Sequence, residues 1–414
     1  MKIQRAAVIG AGTMGAGIAQ VLSQAGIEVV LKDINQEFVD KGISRIKRMY
    51  ESRVKKEVLT QAEADYLLGL VKGSTSFESF KDVDLVIEAA LEEINVKLDI
   101  FTQLDKVCPS HAILASNTSA LSVSEIAACT KRPEKVIGMH FFNPAQTMKL
   151  VEVIPGLKTA KDTIAAVTEL CQGLKKIPVT VQECPGFLVN RLLFPYLNEA
   201  LYVAEEGIAS LDEVDRLVVE FGMPMGPYTL LDMTGIDICA HVNNFLYSQY
   251  GPRFEPAQLI NKMVEAGFKG QKSGAGFFIH DPNQVPKKDE PKKVNPELAK
   301  ILKSINENKK PIANSRPFDV YRVILPMFNE AIYAIQEQVV VHGDVDIAMQ
   351  WGCGMTKGLL SIAEKKGLQW CLSELHSYQK FHGERFRPAW LLSKLVNAGI
   401  HDFSQLNAMP AAVR

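Results

Sequence analysis

The sequence lacks most of the features that mark membrane-bound, secreted or nucleic-acid-binding proteins. Its 46 basic and 47 acidic residues leave a net charge of −1, so no overall field draws the chain to nucleic acid or an anionic membrane. No apolar stretch reaches the length that a membrane-spanning helix needs. The seven cysteines include no CxxC pair, which predicts reduced thiols and neither a disulfide framework nor a structural metal site.

Two targeting signals are also missing. The chain runs from MKIQRAAVIG directly into a predicted strand, which leaves no room for a signal or transit peptide, and it ends in AAVR rather than in a peroxisomal SKL. Together with the reduced cysteines, this predicts a cytoplasmic protein. With 414 residues, of which 47% are apolar, the chain is long enough for two or three globular domains.

The first part of the chain alternates short apolar strands with amphipathic helices. This alternation is typical of a wound, mostly parallel sheet. Seven strands are predicted, at residues 6–9, 29–32, 85–88, 113–115, 136–140, 150–154 and 177–181.

From Pro185 onward helical patterns dominate, and they occur twice. Arg191, Asn198 and Glu199 recur 131 residues later as Arg322, Asn329 and Glu330, and RFEPAQLINKMVEAG returns as RFRPAWLLSKLVNAG. A Pro- and Lys-rich stretch, DPNQVPKKDEPKK, separates the copies and predicts a solvated linker. The predicted domains are a nucleotide-type domain at 1–184, helical domains at 185–280 and 319–414, and a linker at 281–318.

The first predicted strand leads into GAGTMGAGIAQ. Gly10 would permit the tight turn, Gly12 would let the backbone approach a pyrophosphate, and Gly15 would let the helix pack closely on the strand. The second strand ends in Asp33, which can accept hydrogen bonds from ribose hydroxyls and would repel a 2′-phosphate. The alternative is an ordinary glycine-rich turn, but the strand–turn–helix context favours NAD as the cofactor.

Three polar segments follow at places where a wound sheet carries its chemistry. They are SNTSAL (116–121), GMHFFNPAQTMKLVEVIPG (138–156) and PGFLVNR (185–191). His140 ends one strand, and Glu152 lies on the next strand after a connection that turns back. A histidine base needs such a carboxylate to hold its tautomer, although a lone histidine at a strand end is more often a buried core residue.

These motifs, together with IEAALEEINVK, resemble the signature set of the L-3-hydroxyacyl-CoA dehydrogenases, in that family's order and with close to its spacing. FGMPMGPYTLLDMTG and GQKSGAGFF resemble the same family's helical domain. The tandem second copy is similar to the dehydrogenase half of multifunctional fatty-acid oxidation proteins. The resemblance implies a Rossmann-type α/β domain followed by a duplicated all-α domain of the 6-phosphogluconate-dehydrogenase C-terminal type.

The resemblance also implies roles for individual residues. His140 would be the catalytic base and Glu152 its partner. Ser119 and Asn190 would hydrogen-bond the oxygen atoms of an acyl-CoA substrate, although both residue types also favour helix caps and turns. The side chains lining NAD would be Met14, Asp33, Ala90, Leu91, Glu92, Lys97, Ser119 and Asn143.

Two segments can each be interpreted in more than one way. Residues 41–56, KGISRIKRMYESRVKK, form a basic predicted helix that either binds the phosphates of coenzyme A or is a solvent-exposed helix face. The second helical copy has WGCGMTKGLLSI where the first has FGMPMGPYTLLD, which favours a structural role. Its apolar face at 322–335 could pack on 191–204 and replace a dimer partner, so the chain could be a monomer.

The function that the resemblance implies is NAD-dependent oxidation of (S)-3-hydroxyacyl-CoA in fatty-acid β-oxidation or a related pathway, with no metal and with a hydratase or thiolase as possible partner. Three alternatives stay open. They are a 3-hydroxybutyryl-CoA dehydrogenase of short-chain metabolism, a related dehydrogenase of a non-CoA hydroxyl substrate, and an inactive structural relative.

Overall fold

The computed structural model describes residues 3–281, 292–307 and 316–406. These residues form two compact units, which meet in the chain between Phe187 and Leu188. Each unit has its own arrangement of helices and strands and is described by itself.

The first unit is built on one eight-stranded sheet with the strand order β3-β2-β1-β4-β5-β6-β7-β8. The strands are β1 Arg5–Ile9, β2 Glu28–Lys32, β3 Val71–Ser74, β4 Leu85–Glu88, β5 Ile113–Ser116, β6 Val136–Phe141, β7 Leu150–Pro155 and β8 Ile177–Thr180. Neighbouring strands are parallel except β6 and β7, which are antiparallel. The predicted wound sheet is confirmed.

Six α-helices connect the strands of this sheet. They are α1 Thr13–Gln24, α2 Gln36–Lys55, α3 Gln61–Gly69, α4 Ile94–Val107, α5 Val123–Ala128 and α6 Lys161–Gly173. The central strands are buried on both faces, so they appear in the sequence as continuous apolar runs such as AAVI and LVIE. Alternate side chains of β1, β4 and β5 belong to one core cluster of the unit, among them Val8, Ile87 and Ile113.

The sequence analysis missed one strand, β3. Its sequence is VKGS, and only Val71 is buried, because the strand lies at the edge of the sheet and pairs with β2 alone. An edge strand needs neither an apolar run nor clean alternation, and glycine disfavours strands.

The second unit consists of helices. They are α7 Val189–Glu206, α8 Leu211–Phe221, α9 Pro227–Thr234, α10 Ile236–Tyr250, α11 Gln258–Glu265, α12 Leu298–Asn306, α13 Tyr321–Gln336, α14 His342–Cys353, α15 Leu359–Lys366, α16 Leu368–His382 and α17 Trp390–Asn397. The series α7–α11 recurs as α13–α17, in agreement with the repeat in the sequence.

Helix α12 lies inside the segment predicted as a linker and was not expected. Its Leu298 and Ile305 side chains are buried, and the Asn306 side chain donates a hydrogen bond to the carbonyl of Glu205 at the end of α7. At least this part of the segment is therefore packed against the first copy. Two other parts of the predicted linker, 282–291 and 308–315, lie outside the described residues.

The two copies pack through α7 and α13, and each presents a buried arginine to the other's glutamates. Arg191 Nε donates to Glu330 at 2.7 Å, and Arg322 Nε donates to Glu199 at 2.7 Å. Each arginine also forms an ion pair with a second glutamate of the other copy: the N–O distance is 2.8 Å between Arg191 and Glu337 and 3.0 Å between Arg322 and Glu206. The contacts are related by a pseudo-two-fold axis, as in a symmetric dimer.

Candidate active site

At two positions of the loop after β1, Gly10 and Gly15, the space admits no residue larger than glycine. Gly10 has φ +93°, and a Cβ atom there would lie 2.4 Å from the carbonyl oxygen of Ala89. A Cβ at Gly15 would lie 1.7 Å from the carbonyl oxygen of Gly10, so the first turn of α1 packs directly on the loop. These close approaches match the roles predicted for the two glycines.

The same loop leaves open space at its outer side, and this space fits a dinucleotide. No atom lies within 4 Å of a Cβ built at Gly12, and among the described residues no side chain caps the helix that begins at Thr13. The first turn of α1 therefore offers backbone N–H groups to an anion such as a pyrophosphate. Asp33 lies beside it, with its carboxylate held by the N–H groups of Ala11 at 2.6 Å and Ile34 at 2.7 Å.

The other predicted cofactor residues lie along the same edge of the sheet. Met14 is half-buried against the core, Leu91 is exposed, and Asn143 is exposed just after β6. The N–H of Ala90 donates to the buried carboxylate of Glu88 at 2.7 Å, which fixes the loop after β4. Their common location follows from the parallel strands, whose carboxyl ends share one edge.

Lys97 lies deeper than the sequence suggested. Its side chain is only 1% exposed, and its Nζ atom lies 2.8 Å from Glu88 and 3.2 Å from Glu92. Burial of the Glu92 carboxylate by itself raises its pKa. The positive charge of Lys97 and the hydrogen bonds from Thr118 and Ser119 have a larger effect in the opposite direction, so the pKa of Glu92 lies below its ordinary value. In this structure Lys97 supports the loop by binding these two carboxylates.

Ser119 contacts the same carboxylate. Its N–H lies 2.7 Å and its Oγ 3.0 Å from Glu92 Oε1, and Thr118 Oγ1 donates to that oxygen at 2.7 Å. Because a carboxylate only accepts hydrogen bonds, the Ser119 hydroxyl points its proton at Glu92 here. The structure therefore brings two predicted site residues, Ser119 and Glu92, into direct contact.

His140 and Glu152 lie directly opposite each other on the antiparallel strands β6 and β7. Their side chains form a 2.6 Å contact between Nδ1 of His140 and Oε2 of Glu152. The histidine is 8% exposed and the glutamate is fully buried. Since the carboxylate accepts from Nδ1, Nε2 is the imidazole nitrogen that carries a lone pair for a proton.

Asn117 links the Ser119 loop to the histidine strand. Its side-chain oxygen accepts a hydrogen bond from the N–H of Phe141 at 2.8 Å, one residue beyond His140. Two aromatic rings flank the imidazole, Phe142 with its centroid 4.6 Å away and Phe187 with its centroid 5.9 Å away. The sequence analysis did not single out these three residues, although all three stand inside the quoted motifs.

Asn190 belongs to the second unit. It is the second residue of α7 and is half-buried. Its neighbour Arg191 is fully buried in the exchange of ion pairs with the second copy, so the first turn of α7 is firmly anchored.

Comparisons with known proteins show the family of the chain. Residues 5–184 match the family described as 3-hydroxyacyl-CoA dehydrogenase, NAD binding domain, and residues 186–280 and 318–403 match the C-terminal domain of the same family. The chain belongs to the 3-hydroxyacyl-CoA dehydrogenase family. The first segment therefore is an NAD-binding domain, and the helical domain of the family is present twice.

Three relatives show how the chain matches its family. A peroxisomal fatty acid beta-oxidation multifunctional protein of Arabidopsis thaliana is 35% identical over 404 residues, which are 96% of this chain and 55% of that protein. A 3-hydroxybutyryl-CoA dehydrogenase of Clostridioides difficile is 44% identical over 66% of this chain and 99% of its own. The crystal structure of 3-hydroxybutyryl-CoA dehydrogenase from Escherichia coli K12 has a TM-score of 0.85 and 31% identity, and the match covers 96% of this chain and 100% of that one.

The chain spans about half the length of the multifunctional relatives that it matches. Over the described residues, no helix is long and apolar enough to cross a membrane. Nor does the described part of the chain bring together three or more histidine, cysteine or acidic side chains in a way that could hold a metal ion.

Proposed function

We propose that this protein oxidises the 3-hydroxyl group of (S)-3-hydroxyacyl-CoA thioesters to a ketone, with NAD⁺ as hydride acceptor. The observation that carries the proposal is the buried His140–Glu152 pair at the same sheet edge as the glycine-rich loop. Oxidation of a hydroxyl group removes a proton from oxygen and a hydride from carbon, so it needs a base and a dinucleotide side by side.

His140 is the base in this proposal. Nε2 takes the hydroxyl proton, and Glu152 stabilises the resulting imidazolium through its contact with Nδ1. NAD⁺, when bound at the glycine-rich loop, would supply the hydride acceptor for C3, so that the C3–O bond becomes a carbonyl. In the reverse direction the imidazolium returns the proton to the substrate oxygen.

Ser119 and Asn190 are proposed to hydrogen-bond the substrate oxygens as neutral donors. Neutral donors stabilise developing negative charge on oxygen without holding back the hydride. The Ser119 proton points at Glu92 in the structure, so it must turn away from Glu92 when substrate binds. The contact costs little to exchange, since Thr118, Lys97 and the Ser119 N–H still hold the Glu92 carboxylate.

Asp33 is proposed to select NAD over NADP. Two backbone N–H groups already fix its carboxylate at the end of β2, so the remaining lone pairs can accept from ribose hydroxyls. A 2′-phosphate at the same place would meet this negative charge.

A basic groove on α2 is proposed to bind the phosphates of coenzyme A. Arg45, Arg48 and Arg53 line it together with Gln20. The three guanidinium groups suit a ligand that brings negative charge, as the phosphates of coenzyme A do.

The second helical copy is proposed to act as a built-in dimer partner. Two observations support this: the reciprocal arginine–glutamate contacts between α7 and α13, and the substitution of Asn190 by Tyr321 at the corresponding position. Tyr321 packs edge-on against Trp370 with centroids 4.8 Å apart, so the second copy fills this position with aromatic side chains. A monomer is therefore the proposed state.

A short-chain substrate is the second candidate, favoured by one observation. Several relatives that this chain matches over nearly their whole length are named 3-hydroxybutyryl-CoA dehydrogenases, and the match to the Escherichia coli structure among them covers 96% of this chain. A hydratase, or a thiolase, is proposed as a partner because the longer relatives are multifunctional fatty-acid oxidation proteins.

The cytoplasm is the proposed location. Cys108, Cys129, Cys171, Cys239 and Cys371 are free thiols, which suits a reducing compartment. Some relatives are peroxisomal, so fractionation of the native host, with this protein recovered among the cytoplasmic enzymes, is the direct check.

The test of the proposed reaction is NADH oxidation with 3-oxoacyl-CoA thioesters of increasing chain length. We expect turnover with CoA thioesters, little with the corresponding free 3-oxo acids, and a strong preference for NADH over NADPH. No turnover with any 3-oxoacyl-CoA thioester, but turnover with a ketone that carries no CoA, would overturn the substrate assignment. No oxidation of NADH at all would favour an inactive relative.

A further inference from the structure

Phe187 has a backbone conformation that aromatic residues rarely adopt. Its φ angle is +51°, it follows Gly186 with φ +76°, and its side chain is 1% exposed. A left-handed conformation is unfavourable for an L-residue with a bulky side chain, so it persists only where other interactions hold it. Here the Phe187 N–H donates to the carbonyl of Cys184 at 3.0 Å, and the Cys184 thiol lies 3.2 Å from the carbonyl of Phe187.

The turn itself does not require a phenylalanine. The pair Gly186–Phe187 redirects the chain just before α7, and glycine at both positions would make that turn without strain. The presence of an aromatic residue at a position that glycine would fill more easily indicates that the ring itself contributes something.

The ring lies beside the imidazole of His140. The Phe187 and His140 centroids are 5.9 Å apart with the planes inclined at 54°, and Phe142 lies 4.6 Å from the same imidazole, also inclined at 54°. The hydrogen bond to Glu152 fixes one atom of the imidazole, Nδ1. A single hydrogen bond does not fix the plane of a ring, whereas packing against two further rings does.

We propose that Phe187 is a positioning residue for catalysis: together with Phe142 it holds the His140 ring in the plane that aims Nε2 at the substrate. Phe187 touches neither substrate nor cofactor in this role. The inference rests on the proposed function for its kinetic consequence, but the orientation of His140 can be measured without any substrate.

Three substitutions separate the ring from the turn. Phe187→Tyr keeps the ring, Phe187→Leu keeps apolar volume but loses the ring, and Phe187→Gly relieves the backbone and loses the ring. Two controls match them. Lys175→Gly relieves an exposed left-handed residue with φ +57°, and Phe101→Leu removes a fully buried ring elsewhere in the first unit.

We expect Phe187→Leu and Phe187→Gly to lower kcat by roughly 10- to 100-fold, since displacement of a catalytic group by about 1 Å has an effect of this size. The KM for substrate and the Kd for NAD should change less than about threefold. Phe187→Tyr should restore kcat to near the wild-type value. Both controls should keep kcat, even where Phe101→Leu lowers the melting temperature more than Phe187→Leu does.

The orientation of His140 is measured by NMR of protein with ¹⁵N-labelled histidine, without ligands. In the wild type we expect a slowly exchanging Nδ1–H signal, assigned by its loss in His140→Gln. In Phe187→Leu this signal should broaden or exchange faster, while Phe101→Leu should leave it unchanged. If Phe187→Leu kept the signal and kcat, the positioning role would be refuted. If it lost the signal but His140→Gln proved fully active, the proposed function would fail instead.

Discussion

Replacement of His382 by tyrosine should make the second unit resistant to mild acid. His382 ends α16, where its Nε2 lies 2.9 Å from Arg322 and its Nδ1 lies 3.7 Å from Glu206. Burial, and then the charges of Arg322 and Arg385, lower its pKa to about 4, although Glu199 acts in the opposite direction. The corresponding residue of the first copy is Tyr250, whose ring lies 4.6 Å from the guanidinium of Arg191.

The magnitude follows from proton linkage. Unfolded histidine has a pKa of about 6.5, so below this pH the unfolded chain takes up a proton that the folded chain refuses. Since the folded pKa is depressed, this part of the stability is fully present above about pH 6.5 and is lost as the pH falls toward the folded pKa of about 4. At pH 5 the loss amounts to about 2 kcal/mol, which corresponds to roughly 4–8 °C in melting temperature.

The assay is thermal unfolding of the wild type and His382→Tyr from pH 7.5 to pH 4.5. Glu206, whose burial raises its pKa, titrates in both proteins, so the difference between them isolates the histidine. We expect the melting temperature of the variant to rise progressively relative to that of the wild type as the pH falls below 6.5. The reasoning is refuted if the difference in melting temperature is the same at pH 7.5 and pH 5, or if the wild type gains on the variant as the pH falls.

Three further predictions concern other parts of the molecule. Asp33→Ala should narrow the preference for NAD over NADP, measured as the ratio of kcat/KM values; an unchanged ratio would contradict the role of Asp33. Tyr196→Phe should leave the free energy of unfolding, measured by urea titration, unchanged or raise it by up to about 1 kcal/mol. The buried hydroxyl group of Tyr196 has no hydrogen-bond partner among the described residues, and the second copy has Met327 at the corresponding position. Deletion from residue 317 onward should uncover buried Arg191 and the apolar face of α7, and light scattering should then detect dimers or aggregates. If the truncated chain were instead a fully active monomer, the proposal that the second copy replaces a dimer partner would be wrong.

The features that the sequence predicts well are those with local or repeated signals. The glycine spacing after an apolar strand predicts the nucleotide loop, and the reversal between 140 and 152 predicts the antiparallel pair β6–β7, because each depends on neighbouring residues. The duplication is visible because Arg191 and Glu199 return in register as Arg322 and Glu330. Their reciprocal pairing then follows from symmetry, whereas the sequence pattern predicts only that the two apolar faces pack together.

The features that it does not predict depend on tertiary contacts. The strand at 71–74 has no apolar pattern because one neighbour supplies all its pairing, and helix 298–306 lies in a charged segment whose few buried residues pack on a distant helix. The contacts that Lys97 makes with Glu88 and Glu92 cannot be deduced from composition, since they join helix α4 to the end of strand β4 and to the loop that follows it. The left-handed φ of Phe187 has no signature in residue type at all.

The central claim is that His140, oriented by Glu152, removes the hydroxyl proton. The most direct measurement is steady-state kinetics of His140→Gln with a CoA thioester, together with the Kd for NAD. His111→Gln is the matched control, since His111 also lies near a carboxylate, Asp84 at 3.4 Å, but is exposed. We expect His140→Gln to lower kcat by roughly 10²- to 10⁴-fold with the Kd for NAD nearly unchanged, and His111→Gln to match the wild type. Turnover by His140→Gln within a few-fold of the wild type would contradict the account.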